Sequence, residues 1–311
     1  MSKSPGQAEA ILRRLDWTVI RRLDGLLQGD YRTLLRGTGL DLADLREYQH
    51  HDDARQIDWN VTARLDTPHV REYNEDRELT AWFLLDLSPS VDFGSTDGTK
   101  RNHSADFVTL LARLFTRQGN RIGALFYGDR IDTMIPARSG RRHVLHLLDS
   151  MLSRPPATAS GPTDLAAFLD NAFRIIKRRS LVFVVSDFIS ATDWGKALAL
   201  LGERHEVIAV RLFDPLEREV PDLGLLVVQD AETGEQLFVD THDHRFRTRF
   251  AEAAAQREEA LRSAFRKGGV DVLELSTEDD LGDAVLRFAD MRKQRGRLGS
   301  GGLPQHLGGR Q

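Results

Sequence analysis

Oxygen-bearing side chains occur at three places where an apolar run meets a polar loop. Asp86, Ser88 and Ser90 occupy alternate positions after one run, Thr163 precedes a helical stripe, and Asp187 follows another run. Alternate residues of an extended segment project to one side, so the first three oxygens are expected to lie together. Hydroxyls and carboxylates are hard ligands that suit Mg²⁺ or Mn²⁺. The sequence therefore predicts a site for one divalent ion.

The composition of this ligand set predicts an open coordination position. Asp86 and Asp187 supply at most two negative charges, and the hydroxyls supply none. Mg²⁺ prefers an octahedral array of oxygens and gives up water reluctantly. We expect water, or an acidic oxygen from a partner protein, to complete the site.

Each of these residues also has an ordinary structural interpretation. Thr163 could be the N-cap of the helix that begins at Leu165, a common role for threonine. Ser88 and Ser90 could form a loop, and Asp187 could be a turn residue. A scaffold with a vestigial metal site is therefore an alternative.

The elements that must position these residues alternate between apolar runs and amphipathic segments. Strands covered on both faces, as in parallel sheets, are predicted at 79–87, 181–186, 207–213 and 270–275. Residues 121–127 and 130–135 flank Gly128-Asp129, which indicates an antiparallel edge hairpin. Apolar stripes at 107–115, 165–176 and 281–291 predict helices. Thr277 and Asp280 resemble a capping box before the last helix.

This order indicates an α/β fold, a doubly wound and mainly parallel sheet with one antiparallel edge. In such sheets ligands collect at the carboxyl ends of the strands. We divide the chain into a charged N-terminal extension (1–78) that packs on the sheet domain, the sheet domain (79–295) and a flexible Gly-rich tail (296–311). A hairpin at about 222–240 is predicted as an insertion.

Composition excludes several classes of function. The 311 residues carry 43 basic and 47 acidic side chains, a net charge of −4, which gives no electrostatic footprint for nucleic acid. The sequence contains no long apolar window for a membrane span and no signal-peptide pattern. It also has no cysteine, which fits a reducing compartment. We expect a cytoplasmic protein.

The ligand pattern resembles a known site. Asp86-Leu-Ser88-Pro-Ser90, followed by Thr163 and Asp187, is similar to the metal-ion-dependent adhesion site (MIDAS) of von Willebrand factor A domains. The resemblance implies that the serines and Thr163 bind the ion directly or through water. It also implies that both aspartates act mainly through water or as anchors.

A second resemblance covers nearly the whole chain. Leu45-Arg-Glu-Tyr-Gln, Ile57-Asp-Trp-Asn60, Val70-Arg-Glu-Tyr73 and Asp214-Pro-Leu-Glu217 look like the DUF58 family, which joins such a segment to a von Willebrand factor A-like domain. The resemblance implies a partner of the MoxR type of AAA+ ATPase, or its client, in protein complex assembly or metalloenzyme maturation.

An enzymatic function is the remaining alternative. His50, His51, Asp52, Asp53 and Asp58 have the residue types of a hydrolytic metal site, but their spacing matches no helical His pair. Nucleotide-binding and α/β-hydrolase motifs are absent from the sequence. We therefore predict a non-enzymatic interaction protein, with a metal-dependent hydrolase as the alternative.

Overall fold

The computed structural model of the chain contains two units that are each compact. One unit is Leu35–Glu78, and the other combines Met1–Leu34 with Leu79–Gln311. The described residues are 6–15, 44–48, 57, 59–65, 67–72, 79–95, 98–128, 130–155, 162–231 and 233–297. None of the helices within these ranges is both long and apolar enough to cross a membrane.

Strands and helices alternate along most of the described chain. The strands are β1 (Asp44–Glu47), β2 (His69–Glu72), β3 (Thr80–Asp86), β4 (Arg121–Tyr127), β5 (Ile131–Arg138), β6 (Leu181–Ser186), β7 (Glu206–Phe213), β8 (Leu225–Gln229), β9 (Gln236–Asp240) and β10 (Asp271–Ser276). The α-helices are α1 (Gly6–Leu15), α2 (Trp59–Leu65), α3 (Lys100–Arg117), α4 (Arg141–Leu152), α5 (Leu165–Ile175), α6 (Gly195–Arg204), α7 (His244–Gly268) and α8 (Leu281–Arg297). Two 3₁₀ turns lie at Pro89–Asp92 and Pro215–Glu217.

The central sheet has six strands in the order β10-β7-β6-β3-β4-β5. All neighbouring strands in it are parallel except β4 and β5, which are antiparallel. The predicted doubly wound, mainly parallel sheet with an antiparallel edge is confirmed. The chain adds β4 and β5 on one side of β3 and then places β6 on the other. Ligands of such sheets bind at this switch point, which here lies at the ends of β3 and β6.

Alternation along the strands divides the core between the two faces of the sheet. Leu84 and Val184 belong to one buried cluster that also contains residues of α5, α6 and α7. Phe83 and Phe183 stack with their ring centroids 5.3 Å apart, and Phe107 of α3 contacts Phe183 edge-on at 5.9 Å. Because both faces of the sheet are covered, β4, β6 and β7 are buried along nearly their whole length, whereas only Ile135 is buried in the edge strand β5.

The predicted hairpins and helices are largely confirmed. β4 and β5 pair with Leu125 opposite Met134, and β8 and β9 pair with Val227 opposite Phe238. The capping box assigned to Thr277 and Asp280 is wrong in both roles, because α8 begins at Leu281 and Asp280 is itself the capping residue. Asp280 Oδ1 accepts the N–H of residue 283 at 2.9 Å, whereas the Thr277 hydroxyl donates to a distant aspartate, at position 214.

The described residues of the unit Leu35–Glu78 form a two-stranded antiparallel sheet and a short helix. β1 and β2 pair with Leu45 opposite Arg71, and the N–H of His69 donates to Thr62 Oγ1 of α2 at 3.1 Å. The acidic and histidine residues weighed as a hydrolytic site, at positions 50–53 and 58, lie outside the described residues. Residues 298–311 of the predicted tail also lie outside them.

Candidate metal site

The site begins with Asp86, the last residue of β3, which is completely buried. β6 runs parallel beside β3, with Leu85 opposite Val185. This register brings the next residue of β6, Ser186, alongside Asp86, and its hydroxyl donates to Asp86 Oδ2 at 2.6 Å. The same hydroxyl accepts the N–H of Phe188 at 2.9 Å. Sheet pairing thus connects two of the three predicted loops directly.

A tight turn follows Asp86 and brings the two serines together. The N–H of Ser88 donates to Asp86 Oδ1 at 3.0 Å, and the hydroxyl oxygens of Ser88 and Ser90 lie 3.2 Å apart. The predicted alternating extended geometry is wrong beyond Ser88, because Pro89 begins a 3₁₀ turn. Proline favours this first helical position, since its ring presets φ and it has no N–H to leave unpaired. The two serines are therefore adjacent through a turn and not through a strand.

Thr163 is 3% exposed and lies immediately before α5. The alternative that Thr163 caps this helix is wrong, because Asp164 is the N-cap and accepts the N–H of Ala167 at 3.0 Å. The carbonyl oxygen of Thr163 accepts the hydroxyl of Ser190 at 2.8 Å and the N–H of Ala191 at 3.1 Å. The Thr163 loop is therefore held against the loop that follows Asp187.

Asp187 is 1% exposed and has partners on both carboxylate oxygens. Oδ1 accepts the N–H of Ile189 at 3.0 Å, and Oδ2 accepts Lys100 Nζ at 2.9 Å. Lys100, also 1% exposed, is the first residue of α3 and donates in addition to Glu217 Oε1 at 2.7 Å. Sequence reasoning missed both Lys100 and Glu217 as members of this cluster. The only signal was the motif Asp214-Pro-Leu-Glu217 of the family resemblance.

That motif forms the support for Glu217. Asp214 and Glu217 make a reciprocal capping box around the 3₁₀ turn, and the N–H of Asp214 donates to Glu217 Oε2 at 3.1 Å. Asp214 Oδ2 accepts the N–H and the hydroxyl of Ser95 at 2.9 and 2.8 Å, and the hydroxyl of Thr277 at 2.7 Å. The carboxylate of Asp214 thereby ties together the loop before α3, the end of β7 and the end of β10.

The surroundings raise the pKa of both Asp86 and Lys100, which disfavours the charged form of the acid and favours that of the lysine. Burial, reinforced by the negative charge of Asp187, raises the pKa of Asp86 from 3.8 to about 6, although hydrogen bonds from Ser186 and Ser88 oppose this shift. Burial also works against the charged form of Lys100, but the carboxylates of Asp187 and Glu217 outweigh it and raise the Lys100 pKa. The site therefore holds a protonated lysine, paired with Asp187 and Glu217, and a second buried acid, Asp86, that ionises less readily than usual.

The donor atoms suit a hard divalent ion, because all of them are carboxylate or hydroxyl oxygens. The buried acids Asp86 and Asp187 would also gain from a cation, whereas Lys100 already compensates the second of them. Within the described ranges no three His, Cys, Asp or Glu side chains meet in an arrangement that could hold a metal. An ion at this site would consequently depend on the hydroxyls of Ser88, Ser90 and Thr163.

Comparison with known proteins places the chain in a family. The family described as "Protein of unknown function DUF58" matches residues 44–260. Uncharacterized protein Rv1480 of Mycobacterium tuberculosis is 38% identical over 291 residues, which are 93% of this chain and 90% of that protein. Among solved structures, an aerotolerance-related membrane protein from Bacteroides fragilis is 12% identical with a TM-score of 0.48, covering 70% of this chain and 99% of the other. The SpRpn10 VWA domain is 14% identical with a TM-score of 0.37, covering 68% and 95%. The chain belongs to the DUF58 family.

Proposed function

We propose that this protein is a non-enzymatic interaction module that binds an acidic side chain of a partner protein through Mg²⁺ or Mn²⁺. The ion would be held by Asp86, Ser88, Ser90, Thr163 and Asp187. Hydroxyl ligands leave the ion with positions that water or a partner's carboxylate can fill. The function requires no bond to be made or broken by the residues of the site.

One observation carries the proposal: two buried aspartates end or follow neighbouring parallel strands at the switch point of the sheet. Asp86 is completely buried and Asp187 is 1% exposed, and burial together with the negative charge of Asp187 raises the pKa of Asp86. A purely structural role would be served as well by neutral amides, which carry no desolvation cost for a charge. A buried carboxylate with a raised pKa at the end of a sheet strand is typical of functional sites.

The partner is proposed from the family resemblance. A MoxR-type AAA+ ATPase, or a client of such an ATPase, is the first candidate, and the process would be complex assembly or metalloenzyme maturation. An acidic loop on that partner would supply the oxygen that completes the ion's coordination.

The experiment is a pull-down of a purified MoxR-type ATPase by the tagged full chain, in Mg²⁺ and in EDTA. Ser88→Ala and Asp86→Ala are expected to lose the Mg²⁺-dependent binding while keeping the circular dichroism spectrum of the wild type. Asp164→Asn is the matched control, because this carboxylate lies next to Thr163 but caps α5, and asparagine caps equally well. Equal recovery of the ATPase in EDTA, or by Ser88→Ala, would contradict the proposal.

A second function is favoured by the ion pair between Lys100 and Asp187. An ammonium group already compensates one of the two buried aspartates, so the same surface could bind its partner without a divalent ion. This scaffold function predicts that the wild type binds neither Mg²⁺ nor Mn²⁺ in calorimetry and retains the ATPase in EDTA.

A further inference from the structure

Lys100 occupies an unfavourable position for a cation. It is the first residue of α3, where the positive end of the helix dipole opposes a positive charge. Its side chain is 1% exposed, and an ammonium group loses its hydration on burial. Such a lysine persists only with close counter-charges, which Asp187 and Glu217 provide at 2.9 and 2.7 Å.

The ammonium group and a divalent ion would need the same carboxylate. Asp187 Oδ1 is held by the N–H of Ile189, and Oδ2 by Lys100 Nζ. A divalent ion that approaches Asp187 Oδ2 therefore meets the positive charge of Lys100, which is already bound to that oxygen. Repulsion between the two cations in a buried environment is strong, because screening by water is weak there.

Glu217 offers the lysine a second position. It is 20% exposed, and its other carboxylate oxygen is fixed by the N–H of Asp214. Lys100 can lose its bond to Asp187 and keep its bond to Glu217 without leaving the cluster or becoming unpaired. Of the two carboxylates, Asp187 is a predicted ligand of the divalent ion and Glu217 is not.

We propose that Lys100 is an internal counter-ion that competes with the divalent ion for Asp187, and that Glu217 retains the lysine when the ion binds. The inference rests on the proposed metal site. Lys100 and Glu217 thus act on metal binding although neither is one of the five predicted ligands. The affinity of the site for metal depends on the competition between the ammonium group of Lys100 and the external ion.

The test measures Mn²⁺ binding by electron paramagnetic resonance in the full chain. Lys100→Met keeps the length of the side chain and removes the charge, and it is expected to raise Mn²⁺ affinity about tenfold or more. Glu217→Gln is expected to lower the affinity about threefold or more, because the lysine then depends on Asp187 alone. Lys196→Met, the same change at an exposed position of α6, is the control and should leave the affinity within about twofold.

The outcomes separate this inference from the proposed function. If the wild type binds Mn²⁺ and Lys100→Met binds it no more tightly, the inference is wrong and the metal site stands. If only Lys100→Met binds Mn²⁺, the inference is supported and metal-dependent recognition by the wild type is refuted. If no variant binds Mn²⁺ at millimolar concentration, both are refuted. If Lys100→Met does not fold, unchanged or tighter binding by Glu217→Gln overturns the inference.

Discussion

Replacing Lys100 by Met and Asp187 by Asn, singly and together, measures how far the fold depends on their ion pair. Nζ and Oδ2 are 2.9 Å apart, and both side chains are 1% exposed. At an effective dielectric constant of about 20, this separation gives a gross attraction of about 6 kcal/mol. Most of that attraction offsets the loss of hydration of the two charges. The net contribution of the ion pair to stability is therefore smaller than the loss of stability when only one of the two partners is removed.

The single changes are expected to be unequal. Lys100→Met leaves Asp187 buried without its cation and should lower the free energy of unfolding by about 3 to 5 kcal/mol in EDTA. Asp187→Asn should cost about 2 kcal/mol, because Lys100 keeps Glu217 at 2.7 Å. The double variant should cost less than the two changes added, by about 2 kcal/mol or more, since it leaves no unpaired charge on either residue.

Urea unfolding followed by circular dichroism at pH 8 in EDTA supplies these free energies. A parallel cycle on Arg266 and Glu259 is the control, because that pair is 2.6 Å apart but its side chains are 58% and 63% exposed. Its coupling should stay below about 1 kcal/mol. Additivity within about 0.5 kcal/mol at Lys100 and Asp187 would refute the reasoning, since it would mean that the two charges do not depend on each other.

Four further changes test the surroundings of the site and the buried titrating groups. Gly94→Ala should lower the free energy of unfolding by about 2 kcal/mol, because a Cβ there would overlap the backbone of Gly98. Gly98→Ala meets only a flexible histidine ring at 3.3 Å and should cost less, and thermal unfolding of the two variants checks this difference. Burial lowers the pKa of His205 from 6.5 to about 4. Because the folded protein protonates His205 less readily than the unfolded chain does, its stability is highest above pH 6.5. The free energy of unfolding then decreases by about 2 to 3 kcal/mol as the pH falls towards 4. His205→Gln should lack this loss when urea unfolding is compared at pH 7 and 4.5, and a parallel pH dependence would contradict it. For Asp86 the pH dependence of stability has the opposite sign, because its raised pKa makes the free energy of unfolding fall as the pH rises from 3.8 through about 6. Asp86→Asn should consequently gain about 2 kcal/mol over the wild type between pH 4 and pH 8 in EDTA, and a constant difference would contradict this.

The central strands of the sheet could be predicted from the sequence because they are almost entirely apolar, whereas the edge strand β5 was predicted from the Gly128-Asp129 turn. β6 is buried at all six positions, so its limits in the sequence and in the structure are the same. The stripe of α5 was visible for the same reason, since Leu165, Phe168, Leu169 and Ala172 are all buried. α7 was not predicted, because only a few of its 25 residues are buried and the rest of the helix is mainly charged and polar.

The five proposed ligands could be named from the sequence because each follows or precedes a recognisable element. Lys100 and Glu217 could not, because their contacts join residues that are 87 and 117 positions apart. Nothing in the local sequence pattern shows that Lys100 is buried, because a lysine beside polar residues is usually exposed. The same limit explains Thr277, whose spacing fits a local cap but whose hydroxyl is used by Asp214.

Several features at the ends of β3 and β6 cost stability, and that concentration bears on function. Asp86 is ionised at neutral pH although its pKa is about 6, and Lys100 carries its charge at the positive end of a helix. Phe188, directly after the candidate ligand at 187, has φ of 59°, a left-handed conformation that costs about 1 to 2 kcal/mol for a residue with a side chain. Its ring packs 4.8 Å from Phe265 and 5.1 Å from Trp194, which holds the strained backbone in place. Asparagine at position 86 would remove the cost of burying a charge there, and glycine at position 188 would relieve the backbone strain. Methionine at position 100 would remove a buried charge without leaving another unpaired only if Asp187 were neutralised as well. Retaining all three costs at one edge of the sheet is expected where the residues serve a function as well as the fold.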